Sequence, residues 1–213
     1  MERPLTDILV VGNSKVGWRL LRRLPLDWGG VVLRDGSTSL FRVWRLVRSR
    51  RLPLGLLARM VWAEIRRSDA PFLRGELVAS NAEVLAAIKE VQAKRVLLFY
   101  VGLVLSREVI EAVPDALNVH CARLPTYGGI GAIASALKRC DWHQEATLHR
   151  VTTRLDGGEV VDAEPYDLSP HKGYSGNEEV AYEAGIRLVL RALGMRAEDS
   201  SQERRVDCRP SEG

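Results

Sequence analysis

Three residues of this sequence could act together on a carbonyl group: Asn118, His120 and Asp156. Asn118 and His120 alternate within an apolar run, so both side chains would project from one face of a β-strand. Asp156 follows 36 residues after His120 and precedes two glycines, which favour a turn that carries its carboxylate back toward the ring. Acyl transfer to an amine needs hydrogen-bond donors for a developing oxyanion and a group that removes the amine proton. These three side chains supply both.

Each motif also has a simpler explanation. An Asn-x-His pair on a strand edge more often forms structural hydrogen bonds than a catalytic site, and Asp-Gly-Gly by itself usually marks a turn. Taken separately, the motifs favour those structural roles. Taken together with the segments around them, they favour a catalytic site formed by Asn118, His120 and Asp156.

The segments around these residues resemble a known family, the folate-dependent formyltransferases. Residues 117–129 read LNVHCARLPTYGG, which is similar to that family's signature N-[IV]-H-P-S-L-L-P-x-[YFW]-[RK]-G. Residues 146–149 (ATLH) and 155–161 (LDGGEVV) resemble its second signature, and residues 100–106 (YVGLVLS) resemble its folate-site segment A-Y-G-x-I-L-P. The resemblance extends over about residues 76 to 192, with three motifs in the family's order and spacing.

The resemblance implies that a formyl group passes from 10-formyltetrahydrofolate, a co-substrate, to a primary amine. Asn118 and His120 would both donate to the formyl oxygen. Asp156 would pair with His120, favour its charged form and help remove the amine proton. The pterin would lie against main-chain groups of two segments, whose residues are Val101, Gly102, Leu103, Val104, Leu105, Thr152, Thr153 and Leu155.

The sequence departs from the family pattern at four positions. Cys121 and Ala122 replace Pro-Ser, Gly128 stands where Arg or Lys is usual, and Ala146 stands where Gly is usual. None of these positions is one of the three site residues, but residues 121, 122 and 128 are expected to line the region beside them. A catalytically idle, formyltransferase-like binding module is therefore an alternative to an enzyme.

The favoured acceptor is a small-molecule amine, either an amino sugar or a specialised metabolite, phosphorylated or nucleotide-linked forms included. The chain ends soon after a helix near Leu193, so the C-terminal barrel of tRNA-directed members is not expected and initiator tRNA is disfavoured. The alternative is phosphoribosylglycinamide of purine synthesis. Members of that type have a Gly-Ser-Asn phosphate loop, which residues 13–16 match only in part. The loop from Gly12 to Gly17 fits neither nucleotide-binding glycine motif and is explained by a tight turn before a helix.

The positive charge is concentrated in the first third of the chain. Residues 1–75 hold 15 Lys and Arg against 6 Asp and Glu, whereas the remainder has a net charge of −5. Residues 38–67 hold eight arginines and one acid, Glu64, and Pro53 is predicted to divide them into two helices. This basic segment is interpreted as a solvated helical pair, an anionic subsite, or, less favoured, a contact with an acidic membrane surface. Nucleic acid is not expected, because no helix-turn-helix or stacking platform accompanies the charge.

Composition is typical of a soluble globular protein, with 46% apolar and 27% charged residues. No stretch approaches the roughly 20 apolar residues of a membrane span, and no signal segment is recognised. The cysteines at 121, 140 and 208 lack a C-x-x-C pair, and the four histidines lack metal-ligand spacing. We therefore expect a cytoplasmic protein with reduced thiols and no metal; a homodimer is left open.

Alternating strands and helices predict an α/β fold with a doubly wound, largely parallel sheet, in agreement with the Rossmann-like fold that the resemblance implies. We predict a single domain over residues 1–194, with the basic helical insertion 38–67, and a disordered tail over 195–213. Asn81 is expected to cap a helix.

Ligands on doubly wound sheets lie at the carboxyl ends of strands near a switch in strand order. Gly12, Tyr100 and His120 fall at such ends. Strands are expected at 7–12, 29–33, 75–79, 95–100, 116–121, 146–153 and 159–166, and further helices at 16–24, 82–91, 130–139 and 177–193.

Overall fold

A computed structural model of the chain describes residues 6–37, 44, 46–49 and 52–195. Within these residues, seven strands form one sheet in the order β3-β2-β1-β4-β5-β6-β7. Neighbouring strands among the first five are parallel, and the last two strands join antiparallel. The strands are β1 (Asp7–Gly12), β2 (Val31–Asp35), β3 (Glu76–Val78), β4 (Arg95–Phe99), β5 (Asp115–His120), β6 (His143–Arg150) and β7 (Val160–Asp167).

Helices cover both faces of this sheet, which confirms the predicted doubly wound α/β fold. On β1, Leu9 and Val11 pack into one hydrophobic cluster, whereas Ile8 and Val10 pack into another on the opposite face. A strand with both faces buried reads as a continuous apolar run, which is why β1 was recognisable in the sequence. The helices are α1 (Lys15–Arg23), α2 (Leu54–Arg66), α3 (Asn81–Val91), α4 (Arg107–Glu111), α5 (Ala132–Lys138) and α6 (Gly173–Ala192), with a 3₁₀ turn at Pro170–Lys172.

The carboxyl ends of the parallel strands lie where the sequence predicted. β1 ends at Gly12, β5 ends at His120, and Tyr100 directly follows β4. Strand order reverses between β1 and β4, so the edge at these ends is the switch point at which ligands of such sheets bind. A Cβ at position 12 would lie 2.0 Å from the Tyr100 carbonyl oxygen. Glycine is therefore required at Gly12, because the main chain after β4 passes too close for any side chain.

One helix start differs from the prediction. The N-cap of α3 is Ser80, whose hydroxyl accepts from the Glu83 N–H at 3.4 Å, while the Glu83 carboxylate accepts from the Ala79 N–H at 2.7 Å. These reciprocal bonds resemble a capping box, which satisfies two otherwise unpaired donors. Asn81 instead donates to the Val104 carbonyl, and its side-chain oxygen accepts from the Ser106 N–H. The predicted cap residue therefore holds the loop after β4.

Parts of two predictions fall on residues that the structure does not describe. These are residues 196–213 of the predicted tail and residues 38–43, 45, 50 and 51 of the basic segment. The second helix predicted for that segment is present as α2, which begins after Pro53. Among the described residues, no helix is both long enough and apolar enough to span a bilayer.

Candidate active site

Strand β5 brings Asn118 and His120 to one face of the sheet. Leu117 and Val119 are buried in the cluster on the opposite face. Asn118 and His120 are partly exposed, and they alternate with these buried residues along the strand. The two-residue period of a strand therefore produces the arrangement that the sequence predicted for this pair.

His149, on β6, contacts Asn118. The two residues lie opposite each other in the antiparallel β5–β6 pair, and Asn118 Nδ2 lies 3.0 Å from His149 Nε2. The other ring nitrogen, Nδ1, lies 3.0 Å from the Arg150 carbonyl oxygen. Because only an N–H can donate to a carbonyl, Nδ1 carries the proton and Nε2 accepts from the Asn118 amide. Burial lowers the pKa of His149, which agrees with a neutral ring.

His120 is held by the loop that follows its strand. Its Nε2 lies 2.7 Å from the Tyr127 carbonyl oxygen, so Nε2 donates and the plane of the ring is set. Its Nδ1 faces Asp156, with 4.0 Å between Nδ1 and Oδ2. That distance suits an ion pair with a protonated ring but exceeds a direct hydrogen bond. The remaining gap leaves both groups able to bond to a third atom.

The Asp156 carboxylate lies between the two imidazole rings. Its Oδ1 is 3.8 Å from His149 Nε2, and its Oδ2 accepts from the Gly129 N–H at 2.7 Å. Asp156 has a φ of 50°, the left-handed conformation that Asp tolerates better than most residues. A Cβ at Gly158 would lie 1.8 Å from the Arg150 carbonyl oxygen, so this turn closes tightly against the end of β6. The Asp-Gly-Gly turn thus carries the carboxylate back to His120, as the sequence predicted.

A cavity of about 600 Å³ adjoins the carboxylate. Residues of two loops, 124–129 and 154–160, line it. Asp156 and Leu155 are among the lining residues, whereas Asn118 and His120 are not. Arg154 contributes a positive charge to the wall, and Asp156 and Glu159 each contribute a negative one. Of the three predicted catalytic side chains, Asp156 therefore borders the cavity directly.

The two predicted pterin segments differ in what they offer a ligand. Asp35, buried at the end of β2, accepts at Oδ2 from the N–H groups of Gly102 and Leu103, at 2.5 and 2.9 Å. These two amides are thus bonded inside the protein. Leu103 and Leu105 are buried in the cluster that also contacts Val101 and Val151, while Val104 is exposed.

The second segment is open to solvent. Thr152 and Thr153 are exposed and do not line the cavity. The Thr152 hydroxyl bonds to the main chain of Arg154 in a local turn. Leu155, which is 66% exposed, is the member of the predicted pterin set that borders the cavity.

The departures from the family pattern fall in two environments. Gly128 lines the region beside the site residues, as expected, because an added Cβ there would lie 3.4 Å from the Asp156 Cβ. The same expectation is wrong for Cys121 and Ala122, because their side chains are buried in the core. The Ala146 side chain is buried there too. Burial raises the pKa of the Cys121 thiol to about 12, so it stays protonated and unreactive at neutral pH.

His149 belongs to the ATLH motif but is a residue of this site for which the sequence predicted no role. It contacts Asn118 and Asp156, and it is almost fully buried. One sequence signal could have identified it, because Thr147 and His149 alternate on β6 as Asn118 and His120 do on β5. Assigning it needed the antiparallel register of the two strands, which the sequence alone does not fix.

Among the described residues, no group of three His, Cys, Asp or Glu side chains is arranged to hold a metal ion.

Four main-chain donors of the loop after β1 are paired within the chain. The Lys15 N–H donates to Glu64 Oε1 at 3.1 Å, and Lys15 Nζ donates to the carbonyls of Ile65 and Arg67 at 3.1 and 2.6 Å. The N–H groups of residues 13, 14 and 17 also donate to acceptors of the chain. A carboxylate of α2 therefore holds the helix N-terminus that could otherwise bind an anion.

Comparison with known sequences gives a consistent result. A family model described as "Formyl transferase" matches residues 68–183. The methionyl-tRNA formyltransferase of Neisseria meningitidis serogroup C / serotype 2a is 29% identical over 119 residues, which are 55% of this chain and 39% of that protein. The chain thus spans about two fifths of the length of the curated relatives it matches.

Two solved structures share the fold. Glycinamide ribonucleotide transformylase 1 from Symbiobacterium toebii superimposes with a TM-score of 0.62 and 15% identity, over 89% of this chain and 86% of that one. A sugar N-formyltransferase from a Shewanella species superimposes with a TM-score of 0.60 and 11% identity, over 88% of this chain and 68% of that one. At these identities the likeness extends to the fold alone.

Proposed function

The chain belongs to the formyl transferase family, and we infer that it transfers a formyl group from 10-formyltetrahydrofolate to a primary amine of a small molecule. One observation carries this inference: the Asp156 carboxylate lies within 4.0 Å of two imidazoles, one of which holds the Asn118 amide. This cluster contains both the donors and the proton acceptor that acyl transfer needs.

The cavity beside Asp156 suits a folate. Its volume, about 600 Å³, lies within the roughly 300–1,000 Å³ of small-molecule sites. Leu124, Pro125 and Leu155 supply apolar walls against which a flat ring can pack. The main chain of Leu155 and Asp156 would hold the ring, and the bound folate would supply the formyl group to be transferred.

Asn118 and His120 stabilise the negative charge that develops on the formyl oxygen. One N–H of the Asn118 amide is bonded to His149, which leaves the second N–H for the oxygen. When protonated, His120 keeps its Nε2–H on the Tyr127 carbonyl and presents an Nδ1–H to the gap beside Asp156. His149 acts through Asn118 as a positioning residue, because its accepting nitrogen fixes the orientation of that amide.

Asp156 receives the proton of the attacking amine, directly or through water, and passes it to the folate nitrogen whose bond to the formyl carbon breaks as the new bond to the amine forms. The Gly129 N–H holds one carboxylate oxygen, which fixes the side chain beside the cavity. His120 Nδ1 faces the same carboxylate at 4.0 Å, so the two side chains border the same gap.

The geometry of the first loop favours an amino sugar or another metabolite amine over phosphoribosylglycinamide. A phosphate needs free main-chain donors at the loop after β1, but Glu64 accepts the Lys15 N–H, and the N–H groups of residues 13, 14 and 17 are paired as well. A phosphate brought there would also meet the negative charge of Glu64. The acceptor's charged groups, where it has any, therefore bind elsewhere.

A transfer assay tests this function. The full chain is incubated with 10-formyltetrahydrofolate and a panel of amines, and formylated products are identified by mass spectrometry. The panel includes free and nucleotide-linked amino sugars, glycinamide ribonucleotide and aminoacylated initiator tRNA. We expect an amino sugar to be formylated by the wild type, with the rate strongly reduced in Asn118→Ala.

Two results would contradict parts of this proposal. If no amine is formylated while the folate raises the melting temperature, the chain is a binding module and not an enzyme. If glycinamide ribonucleotide is the best acceptor, the argument from Glu64 and the first loop is wrong, although formyl transfer stands.

A further inference from the structure

Helix α2 presents an apolar face to solvent. Its outward residues Leu54, Ala58, Val61, Trp62 and Ile65, which we call the apolar stripe, are all exposed. Leu54, Trp62 and Ile65 are 69%, 59% and 64% exposed. Their spacing places them on one side of the helix. Contiguous apolar surface of this kind marks an interaction site more often than chance exposure.

The outward direction of the stripe is fixed by the opposite side of the helix. Ala63 is buried there, and Glu64 bonds to the Lys15 N–H. Arg67, at the helix end, forms ion pairs with Glu178 and Glu179 of α6 at 2.9 and 2.6 Å. Rotating the helix to bury the stripe against the described residues would break these bonds and leave charged groups unpaired.

Positive charge flanks the stripe. Arg59 and Arg66 are exposed on α2, and the Arg66 guanidinium lies 5.8 Å from the centre of the Trp62 ring. Just before the helix, the Arg48 guanidinium lies 5.3 Å from the centre of the exposed Trp44 ring. Arg48, Arg59 and Arg66 are thus exposed, whereas the single acid of residues 38–67, Glu64, is paired with Lys15 and Arg67. An apolar face with Trp and arginines at its border fits the interface of an anionic bilayer.

We propose that α2 docks through the apolar stripe on an anionic lipid surface, lying in the plane of the interface. A second copy of the chain fits less well, because a two-fold interface would place the same arginines against each other. A lipid surface solvates the stripe with its acyl chains and the arginines with its phosphates. This docking is independent of the proposed chemistry, since none of the stripe residues lines the cavity beside Asp156.

Vesicle flotation of the full chain tests the proposal. One set of vesicles contains phosphatidylcholine alone, and the other contains phosphatidylcholine and phosphatidylglycerol in roughly equal parts. We expect binding to the anionic vesicles at least about tenfold above the neutral ones, with a loss of binding when salt rises from about 0.1 M to about 0.5 M. Trp62→Ser/Ile65→Ser should lower binding by at least about tenfold, since it removes two apolar anchors.

A matched control uses exposed apolar residues outside α2. Leu26→Ser/Leu73→Ser removes similar side chains and should leave binding within about twofold of the wild type. A charge variant, Arg59→Gln/Arg66→Gln, should weaken binding to anionic vesicles only. Thermal melting confirms that each variant is folded.

Three outcomes overturn the proposal. The first is a wild type that binds neither set of vesicles. The second is full binding by folded Trp62→Ser/Ile65→Ser. The third is a dimer, seen by sedimentation, that this double variant abolishes while vesicle binding is absent, which would assign the stripe to a second copy of the chain.

Discussion

Two groups of polar side chains, each with buried and partly exposed members, differ in how closely they are bonded. Around Arg67, every guanidinium nitrogen pairs with a carboxylate: Nη1 with Glu64, Nη2 with Glu178 and Nε with Glu179, at 2.7, 2.9 and 2.6 Å. Glu178 also accepts from the hydroxyls of two tyrosines, Tyr174 and Tyr182. Around Asp156, by contrast, the two imidazole nitrogens lie 3.8 and 4.0 Å from the carboxylate.

The difference is the one expected between a structural network and a site that binds and acts on another molecule. A buried charge is stable only when its bonding capacity is filled, and the Arg67 cluster meets that condition without a ligand. In the Asp156 cluster, each ring is oriented by a main-chain carbonyl, while the distances between rings and carboxylate leave bonding capacity for another molecule. We therefore expect substitutions in the first cluster to change stability, and substitutions in the second to change turnover.

The largest expected effect is on stability at Arg67. Arg67→Met leaves Glu178, only 3% exposed, without its cation, and removing one partner of a buried pair costs about 3–5 kcal/mol. Urea denaturation measures this loss, and Arg59→Met, an exposed arginine of the same helix, is the control. Turnover per folded molecule should be unchanged. A loss no larger than that of the control would show that the Arg67 network does not stabilise the fold.

The next effect is on turnover at the candidate site. Asn118→Ala and His120→Ala should each lower the rate of formyl transfer by about 10²–10³, because each removes a donor to the developing oxyanion. Asp156→Asn should be as severe, although its amide oxygen can still accept from the Gly129 N–H. Steady-state kinetics measure the change, and exposed His143→Ala is the control. Wild-type rates in any of the three variants would remove the proposed mechanism.

A smaller effect concerns the pH dependence of stability. Burial lowers the pKa of His149 below its ordinary 6.5, so the unfolded chain binds a proton that the folded chain does not. The stabilisation is thus fully present above about pH 6.5 and is lost as pH falls toward the lower folded pKa. Urea denaturation at several pH values should show this loss, and His149→Gln should flatten it. The control is His143→Gln, which should keep the wild-type dependence of stability on pH. If His149→Gln keeps it too, the loss of stability at low pH does not come from His149.

The smallest effect is expected at the edge of the Arg67 network. Glu64 is more than one third exposed, so Glu64→Gln should cost no more than about 1 kcal/mol. The amide oxygen of Gln can still accept from the Lys15 N–H, whereas Glu64→Ala cannot and should cost more. Denaturation of the two variants gives the difference. Equal stability of the two would show that the bond to Lys15 contributes nothing.

Much of the fold could be predicted, because the elements follow from local pattern. The continuous apolar run at residues 7–12 gave β1 with both its bounds, and β5 was shifted by one residue. The alternation of Asn118 and His120, and the turn at Asp156, likewise depend on residues close in sequence. Prediction failed where neighbours were chemically similar: Ser80 and Asn81 can both cap a helix, and only the loop after β4, which Asn81 holds, decides between them.

The sequence by itself determined which side chains reach the carboxyl edge of the sheet, since strand periodicity and turn residues act locally. Only the tertiary structure decided their partners. His149 meets Asn118 through strand register, Asp35 takes the amides of Gly102 and Leu103, and Glu64 takes that of Lys15 across 49 positions of the chain. Such contacts depend on how separate elements pack, and a hydrogen bond between distant residues leaves no periodic signal in either segment.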